Sequence, residues 1–160
     1  MIAGIFHRGS GLGDQLHRYI TVRTLAEDRG YEWGMIHPQN FKGLSFMKVD
    51  TGKEVPALFK GDFFREKDVR DEFGNDIRSY DPEINFVEDN TIVEGSFEDE
   101  KYWGHNLDSI DDWLKVEPMA MPNDLCVIGF RGGEYATIPD LFLTRDYFED
   151  SIRLMRTINP

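Results

Sequence analysis

One stretch near the start of the chain limits the fold more than any other. Residues 1–6 form an apolar run with Ile2 and Ile5, read as a short buried strand. The run ends in "IFHRGSGLGDQLHRY", where glycines stand at positions 9, 11 and 13. A helical pattern then covers 14–29, with Leu16, Tyr19, Ile20, Arg23 and Ala26 at spacings of three and four. Gly30 is the expected C-cap, and residues 31–36 read as a second strand. Strand, glycine turn, helix and strand make a βαβ unit, the signature of an α/β fold built on a parallel sheet.

The glycines raise a chemical question. Between a strand and a helix, glycine lets backbone approach a ligand and aims amide groups at it. The alternate spacing differs from the dinucleotide fingerprint, whose third glycine comes one residue later. No Gly-Lys-Ser/Thr follows, so the loop is not a nucleoside-triphosphate P-loop. A plain tight turn is the competing reading.

The middle of the chain is charged and broken by Pro38, Pro56 and Pro82. A short helix is expected over 65–73 with a solvated charged face. "NTIVEGSF" reads as a strand and "EDEKYW" as the start of a helical turn. "LDSIDDWL" reads as a helix capped by Asp108 or Ser109, with Ile110, Trp113 and Leu114 on one side. "PMAMP", at 118–122, is the expected linker. Residues 125–130 then read as a fully apolar strand, and Thr144 as the cap of a helix carrying Phe148, Ile152 and Met155.

A second glycine loop, "FRGGEY", leaves the expected strand at 125–130. Ligands of open α/β sheets sit outside the carboxyl ends of the strands. Arg131 there, with Gly132 and Gly133 clearing space, suits a phosphate or diphosphate, because a guanidinium binds such oxygens through paired hydrogen bonds. An ion pair with Glu134 is the competing role. Elsewhere the signals are weaker. His7, His17, His37 and His105 lack metal-ligand spacing. Cys126, the sole cysteine, lies in an apolar run and cannot form an intrachain disulfide. Tyr102 or Trp103 could stack on a sugar ring.

Composition narrows the partners. The chain has 160 residues and 40% hydrophobic content, enough to bury a core. A formal net charge of −12 argues against nucleic acid and anionic membrane, since neither finds a basic surface here. No apolar stretch reaches transmembrane length and no basic leader precedes an apolar core, so a cytoplasmic protein is expected.

Three segments, in order, resemble the alpha-1,2-fucosyltransferase family. "GSGLGDQLHRYITVRTLA" is similar to its Gly-x-Leu-Gly-Asn-Gln opening and the following Arg-x-Leu-Ala helix. "VEGSFEDEKYW" is similar to its Gly-Tyr-Phe-Gln-Ser-Glu-Lys-Tyr-Phe segment. "VIGFRGGEY" with "LTRDYFEDSIRLM" is similar to its Val-His-Ile-Arg-Arg-Gly-Asp-Tyr strand and loop with the Asp-Tyr-Tyr helix after it. The matches span 2–36 and 91–160.

The resemblance implies two facing Rossmann-like domains, the GT-B arrangement, and metal-free transfer of fucose from GDP-fucose to a glycan hydroxyl with inversion. Residues 1–122 would form the acceptor-side domain, and 123–160 the first strand and helix of an incomplete nucleotide-sugar domain. The family pattern continues beyond the point where this chain ends, so a free edge on the 125–130 strand is expected to dock within the chain or to pair with a second copy as a homodimer. Arg131 would hold the donor diphosphate. Gly11, Leu12, Gly13, Asp14 and Gln15 would line the cleft, with Gly132, Gly133 and Tyr135 as further substrate contacts. Asp14, Glu134 and His7 are candidates for a general base. The family histidine and second arginine fall at Gly129 and Gly132, its aspartate at Glu134 and its loop asparagine at Asp14. A non-catalytic nucleotide- or glycan-binding module is the alternative, and an NAD-dependent oxidoreductase a third class that the glycine spacing disfavours.

Overall fold

The computed structural model describes residues 1–56, 58–116, 118, 120–122, 125, 127–129, 138–139 and 143–158. The chain divides into two compact units, Met1–Pro118 and Met119–Pro160.

The first unit is α/β. Strand β1 (Ile2–Ile5), helix α1 (Leu12–Arg29) and strand β2 (Trp33–Ile36) form the expected βαβ unit, with β1 and β2 parallel and in register from Ile2–Trp33 to Ile5–Ile36. Gly30 ends α1 in the left-handed conformation, φ 66°, and its N–H bonds back to Ala26 and Glu27. Strand β3 (Asp62–Arg65), hairpin strands β4 (Val69–Arg70) and β5 (Asp76–Ile77), and strand β6 (Thr91–Glu94) follow. The main sheet runs β2-β1-β6-β3, and its three pairings are all parallel.

The inward face of α1 is wider than the expected stripe and turned relative to it. Tyr19, Ile20, Val22, Leu25 and Ala26 are buried, and so are Gln15, Arg18, Thr21 and Thr24. Leu16 packs at the margin of the core. Arg23 lies outside the apolar seam, with its guanidinium 5.1 Å from the Trp33 ring and 4.3 Å from the Trp113 ring. Flat guanidinium against indole is a favourable cation–π contact, and it places an arginine among aromatics without burying a bare charge.

The helix expected over 65–73 is absent. Arg65 ends β3, Val69 and Arg70 form β4, and residues 71–75 turn back into β5. Asp71 explains the turn. Its Oδ1 accepts from the N–H groups of Phe73 and Asn75, and its Oδ2 from the Asn75 amide. Those bonds hold its carboxyl below the ordinary aspartate range, with the Asn75 side chain as the largest cause. Gly74 supplies the positive φ of 82° that the reversal needs. The other expected elements appear close to their places. "EDEKYW" contains a 3-10 turn, Glu100–Tyr102, and helix α2 covers Leu107–Trp113. The residue at its N-cap is Asn106 rather than Asp108 or Ser109. Ile110 and Trp113 join the core.

Tyr102 is a core residue, not an exposed platform. Its hydroxyl accepts from Asp81 N at 2.6 Å, and burial pushes its ionisation well above the ordinary tyrosine range. Trp103 is half-buried, donates to Phe97 O at 3.1 Å and stacks on His17.

In the second unit, helix α3 (Arg145–Ile158) begins directly after Thr144. It carries Phe148, Ile152 and Met155 on the side of a groove of about 340 Å³ that Val127 and Ile128 also line. The strand expected at 125–130 does not form among the described residues there: Leu125 and 127–129 belong to no strand. A strand needs a ladder partner, and no strand lies among this unit's described residues. Cys126 and Phe130 lie outside the described residues.

Candidate functional site

The two edges of β1 part company toward the carboxyl ends of the strands. Against β2, pairing continues past the strand: Phe6 N donates to Ile36 O at 3.0 Å, and Asn40 Nδ2 to Phe6 O at 3.1 Å. Against β6, only Ile2–Thr91 and Ala3–Ile92 are paired. Continuing that register would match Ile5 with Glu94, but the ladder has ended by then.

Arg18 fills the gap. Its Nη1 donates to Ile5 O at 3.0 Å, while Nε and Nη2 both donate to Gly95 O, at 3.2 and 2.9 Å. Carbonyls that lose ladder partners inside a protein need other donors, and a guanidinium is a rigid fork of several. Burial lowers the pKa of Arg18, and the carboxylates of Glu94, Asp14 and Glu66 counteract that shift.

The gap lies where the strand order reverses. From β1 the chain steps to β2 on one side, and the later strands β3 and β6 lie on the other. In open α/β sheets such a reversal, at the carboxyl ends, is where ligands bind. The glycine loop leaves β1 at this end. Gly11 N donates to Asp14 Oδ2 at 3.0 Å, the part of a capping box open to a glycine. Gly11 has no side chain to accept from the first amides of α1, which are left without a side-chain cap. An added Cβ at Gly11 would sit 3.2 Å from Asp14 Oδ2, so the cap accounts for that glycine.

Gly9 and Gly13 have no such internal reason. Neither has a positive φ, and an added Cβ on either would meet nothing within 4 Å. Gly13 also lies in the first turn of α1, where glycine is a poor helix former. Neither packing nor a positive φ among the described residues requires glycine at these two positions.

Gln15 is fully buried and uses its whole amide on backbone. Nε2 donates to His7 O at 3.0 Å and Asn40 O at 2.9 Å, and Oε1 accepts from Lys42 N at 2.9 Å. It ties the loop after β1 to the loop after β2.

Across the gap, Glu94 ends β6 and receives two neighbours. His7 Nε2 is 3.2 Å from its Oε1, and Arg65 Nη2 from β3 is 3.2 Å from its Oε2. Glu66, next along, accepts from Ser96 N at 2.7 Å and Phe97 N at 3.0 Å, where Phe97 has φ 51°. Successive amides turned to one side make an anion nest, and here the protein's own carboxylate fills it. An added Cβ at Gly95 would lie 2.7 Å from Glu66 Oε2, so this contact requires that glycine.

The structure therefore brings Gly11, Leu12, Gly13, Asp14 and Gln15 together at the carboxyl end of β1, with Asp14 and Gln15 bonded internally. Arg131, Gly132, Gly133, Glu134 and Tyr135 lie outside the described residues. Arg18, Glu94, Arg65 and Glu66 were not anticipated from sequence. One signal for Arg18 was present: with Gln15, Tyr19 and Val22 it completes an inward i, i+3, i+4, i+7 set. Among the described residues, no group of three His, Cys, Asp or Glu side chains could hold a metal, and no helix is long and apolar enough to cross a membrane. No protein-family model matches the chain, and no curated protein or solved structure matches it significantly.

Proposed function

We propose that the chain is a glycosyltransferase of the fucosyltransferase kind, acting from the cytoplasm on a nucleotide sugar, with GDP-fucose as the first donor to test. It would transfer the sugar to a glycan hydroxyl with inversion. Residues 1–122 would serve the acceptor side. Arg131 would stabilise the departing diphosphate, a role that rests on the resemblance of "VIGFRGGEY" to the family's strand and loop.

One observation carries this reading. Gly9 and Gly13 leave open space beside the uncapped start of α1, at the carboxyl end of a parallel strand, with no packing or backbone demand for glycine. The charges nearby suit a neutral, hydroxyl-rich acceptor better than a diphosphate. Arg18 is occupied by carbonyls, and Glu94, Glu66 and Asp14 are carboxylates.

A second reading, a binding module without turnover, is favoured by the internal use of Asp14 and Gln15. Calorimetric titration with GDP and GDP-fucose, run beside an assay of GDP release with a β-galactoside acceptor, separates the two. Binding with turnover supports the transferase. Binding without turnover selects the module, and no binding overturns both. In a binding-competent chain, Arg131→Ala is expected to weaken GDP by about 1.5–3 kcal/mol, the scale of hydrogen bonds to a charged group.

A further inference from the structure

We infer that the free edge of β3 (Asp62–Arg65) pairs antiparallel with the same strand of a second copy, joining two sheets about a two-fold axis beside Phe63. The pairing is independent of the glycosyltransferase reading.

Strand β3 ends the sheet, and β6 is its one ladder partner among the described residues. The N–H groups of Asp62 and Glu66 donate to Asn90 O and Glu94 O, both at 2.9 Å. Main-chain groups alternate in direction along a strand, so the even-numbered residues are turned to β6, while Phe63 and Arg65 are turned away from it. No described residue bonds to the main-chain N–H of either. Phe63 is 53% exposed at this edge, and Phe86, 81% exposed, lines the same open groove of about 520 Å³. An unpaired edge with exposed aromatics is a template for another strand, and proteins that keep such an edge single block it with charge.

The charges on this edge select a register instead. A two-fold axis perpendicular to a sheet keeps every side chain on its own face, so the axis passes beside one residue and its own copy. With the axis at Asp62 or Arg65, identical charges would stand directly opposite. With it at Phe64, Asp62 would oppose the second copy's Glu66. With it at Phe63, no like charges stand directly opposite. Phe63 then meets the second copy's Phe63, Asp62 its Phe64, Arg65 its Gly61, and Lys60 its Glu66.

The main chain selects the same register. Phe63 is turned outward, so the central pair is a hydrogen-bonded one, and Arg65 with Gly61 makes the next on either side. Arg65 already lies over its own Phe63, with its guanidinium 5.5 Å from the ring. In this register it also stands diagonal to the second copy's Phe63, within reach of a long side chain. Gly61 has no side chain to crowd it. A junction of four residues a side buries little surface, so a weak dimer in the micromolar range is expected.

Sedimentation equilibrium of the full chain, up to roughly 200 μM, reads the affinity. The mass is expected to rise with concentration from monomer to dimer. Phe63→Glu sets two carboxylates opposite each other at the axis and should weaken the dimer at least about tenfold. Its melting temperature in dilute solution should stay near wild type, because the side chain it replaces is exposed. Cysteine pairing in a Cys126→Ser background reads the register separately. Facing α carbons of a hydrogen-bonded pair lie about 5.5 Å apart, within disulfide reach, so Phe63→Cys should give a covalent dimer on mild oxidation. Asp62→Cys, whose two copies stand diagonal to each other, should cross-link at least about tenfold more slowly. A wild type that stays monomeric through the whole range overturns the inference. So does a dimer that Phe63→Glu leaves unchanged, since it would use another surface. If Phe63→Glu does not fold, the cysteines decide: no covalent dimer through Phe63→Cys, or equal rates at the two positions, overturns the pairing.

Discussion

Strand β1 is bonded on two edges, and the edges are built for different ends. Toward β2 every residue of the strand is in register, and main chain and the Asn40 amide carry the pairing onward through Phe6. Toward β6 the ladder stops after Ala3, and a charged side chain takes over. Two residues one turn apart on α1 express the contrast. Gln15, neutral, closes the β2 side by joining two loops. Arg18, cationic, bridges the β6 side by donating to Ile5 O and Gly95 O. A ladder that simply continued would have needed neither the arginine nor the carboxylates around it. Replacing main-chain bonds with a buried guanidinium costs desolvation, which is the kind of local inconsistency expected at a functional site.

The sharpest way to break the comparison is Arg18→Met. If the guanidinium is what closes the end of the β1–β6 pairing, its removal strands Ile5 O and Gly95 O without donors, while Glu94 keeps Arg65 at 3.2 Å. Leaving two buried carbonyls unsatisfied costs about 1–3 kcal/mol each, so a loss of about 3–5 kcal/mol is expected. Urea denaturation should show that loss, with Arg18→Lys recovering less than half, because an ammonium cannot fork to both carbonyls. A Met variant within about 1 kcal/mol of wild type would mean that the strands re-pair without it.

Gln15→Leu tests the other edge. It keeps the volume and removes three neutral hydrogen bonds, each about 0.5–1.5 kcal/mol net, and leaves partners unsatisfied. The expected loss is about 2–3 kcal/mol, smaller than for Arg18. Equal losses would erase the distinction between a neutral clamp and a charged bridge. Chemical shifts of Lys42 and Asn40 amides should move in this variant and stay in place in Arg18→Met.

A third change probes the outer side of β2, which residues 51–53 cover through Met35 N to Thr51 O at 2.9 Å and Lys53 N to Trp33 O at 2.8 Å. A Cβ at Gly34 would lie 2.3 Å from Lys53 O, a backbone atom that cannot step aside. Gly34→Ala is expected to cost about 2 kcal/mol, within the usual range for overpacking, and to speed amide exchange at Met35 and Lys53. No loss would show that the covering segment is loosely held.

The same contrast explains what sequence could and could not reveal. The β1–α1–β2 unit was legible because its signals are local: an apolar run, helical spacing and a glycine at the cap. The charged stretch after Lys60 misled because its strands are exposed and polar, and the decisive Asp71 turn sits inside what reads as a helical charge pattern. The glycine loop was legible as a place. The use of its side chains was not, since Gln15 and Asp14 bond to backbone whose position only the fold defines. Arg18 shows the same limit more strongly. An arginine aimed at two carbonyls, one after β6 and one in β1, has no linear signature beyond its place on the inward face of α1.

The smallest expected effect is the most telling for function. Gly34 and Gly13 are both glycines near β1, one on the closed side and one on the open side, and they should respond with opposite signs. At Gly34 a methyl group collides with backbone. At Gly13 it meets nothing, and alanine is the better helix former by up to about 1 kcal/mol in a helix interior, less in the first turn. Gly13→Ala should therefore raise stability by a few tenths of a kcal/mol, readable as a small rise in the urea midpoint with an unchanged slope. If Gly13 is glycine so that a sugar or nucleotide can lie against the start of α1, the same variant should bind GDP-fucose or the acceptor more weakly than wild type while folding more firmly. Gly9→Ala serves as the partner measurement, because its Cβ is equally unobstructed and it lies outside the helix. Gains in stability at Gly13 with ligand affinity unchanged in both variants would return the glycine loop to a plain turn.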